Sequence, residues 1–358
     1  MMGLNTLKQL LEVRLSFNEL KLSHLAKGAM KVAPFLLSAI LFVKLILYFI
    51  EVFMQKILLT GSSGFIGKYL TKELDLRYEL YHLKSDLRDY KKVRQEVLSF
   101  DPQIIVHLAA RTEVESSFYE QITFSEINYV GSVNLIEAAK DCTDLQMFLA
   151  ASTMETYGWQ SISDIVKSGV EINPPEYWAF NEDTPQNPLA PYAVAKVGME
   201  KYLEYASRAY GLPFAAIRTT NCFGRWDNNF FVTESIISQM VSSKEISLGY
   251  KDPYRNFIFI DDLIRLYKTL ISSPQAAVAG KFYCCGPNNP IKIEHYTDKI
   301  AKILDWTGTI NWDTRPHRPG EIYYLSSTND KVNFYLDWQP RVSLEDGLKK
   351  TIALWKDK

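Results

Sequence analysis

Tyr192 and Lys196 are the residues whose types and spacing most directly suggest chemistry. Of the 21 tyrosines in the chain, only Tyr192 is followed four residues later by a lysine. Four residues is about one helical turn, so the phenol and the ammonium share a face. A neighbouring cation is expected to lower the tyrosine pKa from about 10, which suits proton exchange with a substrate hydroxyl. The alternative is a surface Tyr and Lys on an amphipathic helix.

Local signals predict the helix that carries this pair. Pro191 suits a first helical position and Gly211 a C-terminal cap, so the helix is expected over 191–210.

A glycine-rich loop predicts a dinucleotide site near residue 60. The apolar run Gln55–Thr60 has strand character, and Lys68–Asp75 has helical spacing. Between them lie Gly61, Gly64 and Gly67. In this context the first glycine permits a tight turn, the second lets backbone N–H groups approach a pyrophosphate, and the third allows close packing of helix on strand. The phosphate charge would then rest on the helix N-terminus.

Further strand-like runs alternate with helical stretches along the chain. They lie at 79–83, 103–107, 146–151, 213–218, 256–260 and 281–285. This alternation predicts an α/β fold with a doubly wound parallel sheet of the Rossmann type, in which ligands lie beyond the carboxyl ends of the strands.

Composition excludes several classes of partner. The net charge is -1 and no long run of like charge occurs, so we expect no nucleic acid partner. The four cysteines show no CxxC spacing, which predicts buried thiols in a reducing cytoplasm and neither a disulfide framework nor a metal site.

The N-terminal segment 1–53 differs from the rest of the chain. Residues 32–53 are apolar except for Lys44 and Glu51 and are long enough to span a bilayer. A lysine at mid-span costs about 2.5–3.5 kcal/mol, and the five cations that precede the stretch would place the rest of the chain outside the cytoplasm. Two interpretations of the segment therefore stay open. In the first, the protein is cytoplasmic and the segment is an accessory extension or an over-long start; in the second, the segment is a membrane anchor.

From Met54 to about Trp355 the chain resembles the extended short-chain dehydrogenases/reductases, that is, the NAD-dependent epimerase/dehydratase family of nucleotide-sugar enzymes. Ordered motifs carry the resemblance: TGSSGFIG (60–67), Asp86-Leu87, HLAA (107–110), Asn128–Leu135, STMETYG (152–158), Tyr192–Lys196, Arg218–Asn221, Arg255–Asp262 and Arg318-Pro-Gly.

The resemblance implies NAD or NADP as the cofactor. Besides Tyr192 and Lys196, the expected cofactor-binding residues are Gly61, Gly64, Phe65, Ile66, Gly67, Asp86, Leu87, Leu108, Ala109 and Ala110. Asp86 would hold the adenine edge, with a helix cap as its alternative. The second strand ends in Leu83-Lys84-Ser85, without the acidic residue that usually receives the adenosine ribose, so the choice between NAD and NADP stays open.

The resemblance also assigns a catalytic set. Thr153, Tyr192 and Lys196 would form the redox site that oxidises C4 of a sugar. Glu155 would remove the C5 proton, as in 4,6-dehydratases, although uronate decarboxylases also carry this glutamate and a solvated loop carboxylate is the alternative. Met154 departs from the dTDP-glucose dehydratases, which have an acid there, because methionine cannot donate a proton.

A nucleotide-diphosphate sugar is the expected substrate, held by Asn221, Arg255 and Arg318. The resemblance places the cofactor domain at 54–225 plus 256–285 and a smaller C-terminal α/β substrate domain at 226–255 plus 286–358. It also implies a homodimer through helices near 118–140 and 191–210. The aromatic loop 158–190, with Trp159, Tyr177, Trp178 and Phe180, would be either a lid or local packing.

The sequence as a whole favours a nucleotide-sugar 4,6-dehydratase. A 4-epimerase and a UDP-glucuronate decarboxylase of the same family are the alternatives, and a non-catalytic cofactor-binding scaffold is a remote one.

Overall fold

The computed structural model describes residues 54–172, 178–273 and 278–356. Within them the strands are β1 Lys56–Thr60, β2 Glu79–His82, β3 Ile104–His107, β4 Met147–Thr153, β5 Phe214–Thr219, β6 Asn221–Phe223, β7 Glu245–Ser247, β8 Tyr254–Arg255, β9 Phe257–Phe259, β10 Lys281–Cys284, β11 Ile291–Lys292, β12 Thr309–Asn311 and β13 Tyr324–Leu325.

The α-helices are α1 Phe65–Leu74, α2 Tyr90–Phe100, α3 Val114–Ser117, α4 Gln121–Ser125, α5 Gly131–Ala139, α6 Ile162–Lys167, α7 Pro191–Tyr210, α8 Val232–Ser242, α9 Ile260–Ile271, α10 Ile293–Leu304, α11 Asp330–Leu336 and α12 Leu344–Lys356. A π-helical turn, Glu126–Val130, joins α4 to α5, and a 3-10 turn, Met154–Tyr157, follows β4.

The predicted α/β class and parallel sheet are confirmed. Six strands pair in parallel in the order β10-β5-β4-β3-β1-β2. The chain reverses its direction of winding between β1 and β3, whose last residues, Thr60 and His107, are direct neighbours. In doubly wound sheets this switch point is where a dinucleotide binds.

Both faces of the sheet are covered, and its inner strands β1, β3, β4 and β5 are buried along nearly their whole length. Ile57 and Leu59 of β1 pack on one face with α1 and α9, whereas Leu58 packs on the other with α2, α5 and α7. Smaller pairings lie outside this sheet: β12 with β7, and β11 and β13 with β8.

One strand prediction is wrong in its placement. The run 256–260 forms β9, but β9 pairs in parallel with β6 instead of joining the large sheet. The place beside β5 in that sheet is taken by β10. Residues 257–259 therefore pair with β6, which follows β5 in the chain.

Helix α7 begins at Pro191 and ends at Tyr210 as predicted, with Gly211 in the left-handed region at φ +73°. Residues 55–358 form one compact unit, and the division of this unit into two domains stays a prediction. None of the helices in the described ranges has the length and apolarity that a bilayer crossing requires. The predicted apolar segment 32–53 lies outside those ranges.

Candidate active site

The glycine loop has the geometry that a dinucleotide site requires. Gly61 has φ +71°, which L side chains rarely adopt. The Gly64 N–H donates to the Gly61 carbonyl at 3.0 Å. Helix α1 then begins at Phe65, and no side chain caps its first N–H groups. These groups can therefore bind an anion.

Two of these glycines are required by close contacts. A Cβ on Gly67 would lie 2.1 Å from the Gly61 carbonyl oxygen, and one on Gly61 would lie 2.6 Å from the Ala109 amide nitrogen. The loop is thus packed against α1 on one side and against the residues that follow β3 on the other. These residues fit the phosphates of NAD or NADP.

Gly67→Ala is expected to weaken NAD(P) binding by about tenfold or more, because overpacking of about 1–3 kcal/mol would displace the loop. Calorimetric titration with NAD and NADPH measures the change. Gly249→Ala is the control within the same cleft: nothing lies within 4 Å of a Cβ there, so the glycine loop stays undisturbed. Unchanged affinity in the Gly67 variant would contradict a phosphate-binding loop at this position.

A cleft of about 480 Å³ opens beyond the carboxyl ends of the strands. It brings together most of the predicted site residues, which come from distant parts of the chain. Those that line it are Gly61, Gly64, Phe65, Ile66, Gly67, Leu108, Ala110, Thr153, Glu155, Tyr192, Lys196, Asn221, Arg255 and Arg318.

Three predicted cofactor residues lie outside this lining. Asp86 pairs with Arg88 at 2.6 Å, which lowers the pKa of its carboxyl to about 2. It is not a helix cap, because Asp89 caps α2. Leu87 is buried against Gly131. The Ala109 N–H donates to Thr60 Oγ1 at 3.1 Å, so this residue links the ends of β1 and β3 at the switch point.

The three residues of the predicted redox set meet at the end of β4 and the start of α7. Thr153 is the last residue of β4, and its hydroxyl accepts from the Glu155 N–H at 3.2 Å and hydrogen-bonds Tyr192. Tyr192 and Lys196 are buried one turn apart on α7. The Lys196 ammonium donates to the Ala151 carbonyl at 2.9 Å.

The predicted lowering of the Tyr192 pKa is wrong for this structure. Burial raises the pKa of the Tyr192 phenol, and the negative charges of Glu155 and Glu113 add to the rise. Lys196 is bonded to a carbonyl, and its own pKa falls to about 8 because burial disfavours the ammonium. The phenol is therefore protonated at neutral pH.

Glu155 faces the cleft among charged groups. Burial raises the pKa of its carboxyl, while the guanidinium groups of Arg255 and Arg318 oppose the rise. A raised pKa makes the carboxyl a weaker acid and a stronger base, which favours a role in both accepting and donating a proton. Met154 beside it is buried and offers no proton.

Glu321 is a cleft residue that the sequence did not reveal. Its carboxylate accepts two hydrogen bonds from Arg318, at 2.8 and 2.9 Å, and lies 3.5 Å from Arg255. Arg255 also donates to the Ile322 carbonyl at 2.6 Å. The two arginines thus converge on one carboxylate, and Asn221 lines the same cleft. In the sequence, the sign of this ion pair is that Glu321 follows Arg318 by three residues.

His107 organises the switch point from below. Its Nδ1 lies 2.8 Å from Thr60 Oγ1 and its Nε2 lies 2.9 Å from Ser132 Oγ. Because the Ser132 hydroxyl donates to the Asn128 carbonyl, Nε2 carries the proton. Burial, followed by the charge of Lys196, lowers the pKa of His107 to about 3, so the ring is neutral.

The described part of the aromatic loop packs locally. Phe180 is buried between Tyr157 and Tyr324, and its N–H donates to the Ser326 carbonyl at 2.9 Å. Trp159 contacts Tyr323. None of the loop residues that the structure describes, 158–172 and 178–190, lines the cleft. Tyr177 lies outside the described residues.

Comparisons with known proteins agree with this geometry. The model of the NAD dependent epimerase/dehydratase family matches residues 57–286. A dTDP-D-glucose 4,6-dehydratase of Dictyostelium discoideum is 26% identical over 374 residues, with 86% of this chain and 83% of the relative covered. A putative UDP-glucose 4-epimerase of Methanocaldococcus jannaschii is 24% identical over 324 residues, with 84% and 98% covered.

Solved structures share the fold. The crystal structure of UDP-glucose 4-epimerase from Thermotoga maritima, bound to UDP-glucose, has a TM-score of 0.74 at 22% identity, with 84% of this chain and 98% of that chain covered. Other similar structures contain NAD or NADPH. Because the family match extends over more than half of the chain, the protein belongs to the NAD dependent epimerase/dehydratase family and is an enzyme whose cofactor is NAD or NADP.

Proposed function

We propose that the protein is a nucleotide-sugar 4,6-dehydratase. The observation that carries the proposal is Glu155, a partly buried carboxyl in the same cleft as Thr153, Tyr192 and Lys196. A 4-epimerase needs no base at C5, because its ketone only has to turn over in the pocket. A carboxyl with a raised pKa next to the redox residues is the group that an elimination requires.

The residues divide the reaction between them. NAD or NADP, held at the loop 61–67, would supply the acceptor and later the donor of hydride. Tyr192 would take the proton of the 4-hydroxyl as phenolate while hydride leaves C4, so its own phenolic proton has to leave the buried site first. Thr153 orients the 4-hydroxyl. Glu155 removes the C5 proton and gives a proton to the departing 6-hydroxyl, which leaves as water. Hydride then returns to C6, and the proton that Tyr192 took from the 4-hydroxyl passes to C5, directly or by way of Glu155. Both side chains regain their starting states, and the net change is the loss of one water.

The substrate is proposed to be a nucleotide-diphosphate hexose. Arg255, Arg318 and Asn221 line one side of the cleft, and guanidinium groups suit phosphate oxygens. Relatives named for dTDP-glucose and UDP-glucose support this class of substrate. Met154, which cannot act as the acid of a dTDP-glucose dehydratase, argues for another nucleotide.

Incubation with UDP-, GDP-, CDP- and dTDP-hexoses, followed by mass spectrometry, tests the proposal. Loss of about 18 Da, the mass of one water, is expected from one of these sugars. An isobaric C4 epimer would favour the 4-epimerase, in line with the epimerase relatives. Release of carbon dioxide from UDP-glucuronate would favour the decarboxylase, whose substrate carboxylate Arg255 or Arg318 could bind.

We also propose a homodimer formed through α4, the π-helical turn and α7. These elements pack together and leave an exposed apolar surface made of Tyr119, Ile122, Tyr129, Val130 and Val194. A second copy can cover this surface because a two-fold interface is self-complementary.

Ile122→Glu is expected to convert a dimer to a monomer, because it places a charge in the centre of an apolar interface. Light scattering after size exclusion measures the change. Ile122 is 76% exposed and the control residue Phe334, on α11, is 83% exposed. Phe334→Glu should leave the mass unchanged. A wild-type protein that is monomeric at high concentration would exclude the dimer.

For the location we propose the cytoplasm, where NAD(P) and nucleotide sugars are available, with the segment 32–53 as a candidate for membrane attachment. Deletion of residues 1–53 tests both alternatives. An accessory extension leaves the activity in the soluble fraction with or without the deletion. If the segment is an anchor, the activity of the full-length protein is found in the membrane fraction, and the deletion moves it to the soluble fraction.

A further inference from the structure

Glu200 is a fully buried carboxylate on α7, one turn beyond Lys196. Its Oε1 accepts from Ser152 Oγ at 2.5 Å and from Arg218 Nε at 3.1 Å. Its Oε2 accepts from Arg218 Nη2 at 2.8 Å and from Gln186 Nε2 at 2.6 Å. Three protein side chains thus supply these four hydrogen bonds to one carboxylate.

The three donor side chains come from elements next to Thr153 and Lys196, namely β4, β5 and the segment that precedes α7. Ser152 on β4 and Arg218 on β5 are direct neighbours in the sheet. Gln186 belongs to the segment that precedes α7. Arg218 extends the network further, because its Nη1 donates to Tyr157 Oη at 3.0 Å and to the Glu182 carbonyl at 3.1 Å. One ion pair therefore fixes β4, β5, α7 and the loop relative to one another.

The same carboxylate acts on the charge of Lys196. Burial lowers the Lys196 pKa to about 8, and the negative charge of Glu200 opposes that fall. The other titratable groups around the ammonium do not compensate for burial. Tyr192 on α7 is protonated at neutral pH, and His107 on β3 is neutral. Glu200 is thus a buried anion one turn from Lys196 on the same helix, and its charge favours the cationic form of Lys196.

We infer that Glu200 is a positioning residue for the hydride step: clamped by Ser152, Arg218 and Gln186, it holds Lys196 in its charged form at the carbonyl end of β4. The inference rests on the proposed role of Lys196 in the redox set. It does not depend on which sugar is the substrate or on whether elimination follows oxidation.

Glu200→Gln is the test, because glutamine keeps the shape and removes the charge. In the NAD-loaded protein labelled with [ε-13C]lysine, NMR titration follows Lys196, whose signal is assigned by its loss in Lys196→Arg. Removal of an adjacent opposite charge is expected to shift the Lys196 midpoint to lower pH by about one unit or more. Since the cation is then lost at a lower pH, the high-pH limb of the kcat profile should move in the same direction.

Two variants separate this role from a merely structural one. Ser152→Ala removes a hydrogen bond to Glu200 but keeps the charge, so the Lys196 midpoint should stay in place even if thermal stability falls. Glu200→Asp restores the charge and should restore the midpoint. If Glu200→Gln does not fold because Arg218 is left unpaired, the double variant Glu200→Gln/Arg218→Gln removes both buried charges. Its Lys196 midpoint is then compared with that of Arg218→Gln, so that the difference between the two variants reports the charge of Glu200.

An unchanged Lys196 midpoint in the glutamine variant would overturn the inference, as would an equal shift in Ser152→Ala. Neither outcome involves a sugar, so the inference can fail while the dehydratase proposal stands. Conversely, the incubations with nucleotide hexoses can rule out a dehydratase while the Lys196 titration still supports the role of Glu200.

Discussion

Replacement of Tyr192 by phenylalanine is expected to lower turnover by about 10²–10⁴-fold, because it removes the group that exchanges a proton with the sugar hydroxyl. Phenylalanine fills the same buried site, so folding should be retained, and a change in NAD(P) affinity would report the contact expected between the Tyr192 hydroxyl and the cofactor. Steady-state turnover of the sugar found in the panel, with NAD(P) titration alongside, measures both effects.

Tyr205→Phe is the matched control on the same helix. Tyr205 is exposed, and its hydroxyl lies 2.9 Å from that of Tyr210. The control should turn over at the wild-type rate. If Tyr192→Phe did so as well, Tyr192 would have no part in the hydride step and the redox set would have to be sought elsewhere in the cleft.

Glu155→Gln is expected to reduce water elimination by about 10²–10⁴-fold, because the amide cannot take the C5 proton. Oxidation at C4 does not need this carboxyl, so reduced cofactor should still form and should accumulate. Absorbance at the reduced nicotinamide band and mass spectrometry of the sugar, measured on one reaction mixture, separate the two steps.

Glu345→Gln is the control for this change, since Glu345 is an exposed carboxylate on α12 whose partner is Lys349. It should leave both readouts unaltered. Unchanged water loss in Glu155→Gln would remove Glu155 from the mechanism. Loss of cofactor reduction together with water loss would show that Glu155 already acts in the first step.

Local signals were sufficient for the elements that position the site. Pro191 and Gly211 determine the ends of α7 by their own backbone preferences, and Gly61 is needed for a φ that other residues avoid. The triad Thr153, Tyr192 and Lys196 was assembled by resemblance, and the structure places the three residues in one cleft.

Tertiary packing determined what the sequence did not reveal. The pKa of Tyr192 depends on burial and on Glu155 and Glu113, which lie far from it in the chain. Glu200 looks like an ordinary helix carboxylate until Ser152 and Arg218 are brought beside it by the sheet. The placement of β9 likewise depended on β10, which comes later in the chain, taking the position next to β5.

Glu321 gives the cleft an internal counter-ion. Its carboxylate already occupies donors of Arg318 and lies beside Arg255, so two guanidinium groups present less free positive charge than their number suggests. Chloride or inorganic phosphate that enters the cleft must compete with the Glu321 carboxylate. Because Glu321 is part of the chain, it loses no translational freedom when it binds the arginines, whereas a free anion does. A ligand that prevails there must bring further contacts, so abundant small anions should be poor inhibitors of this enzyme.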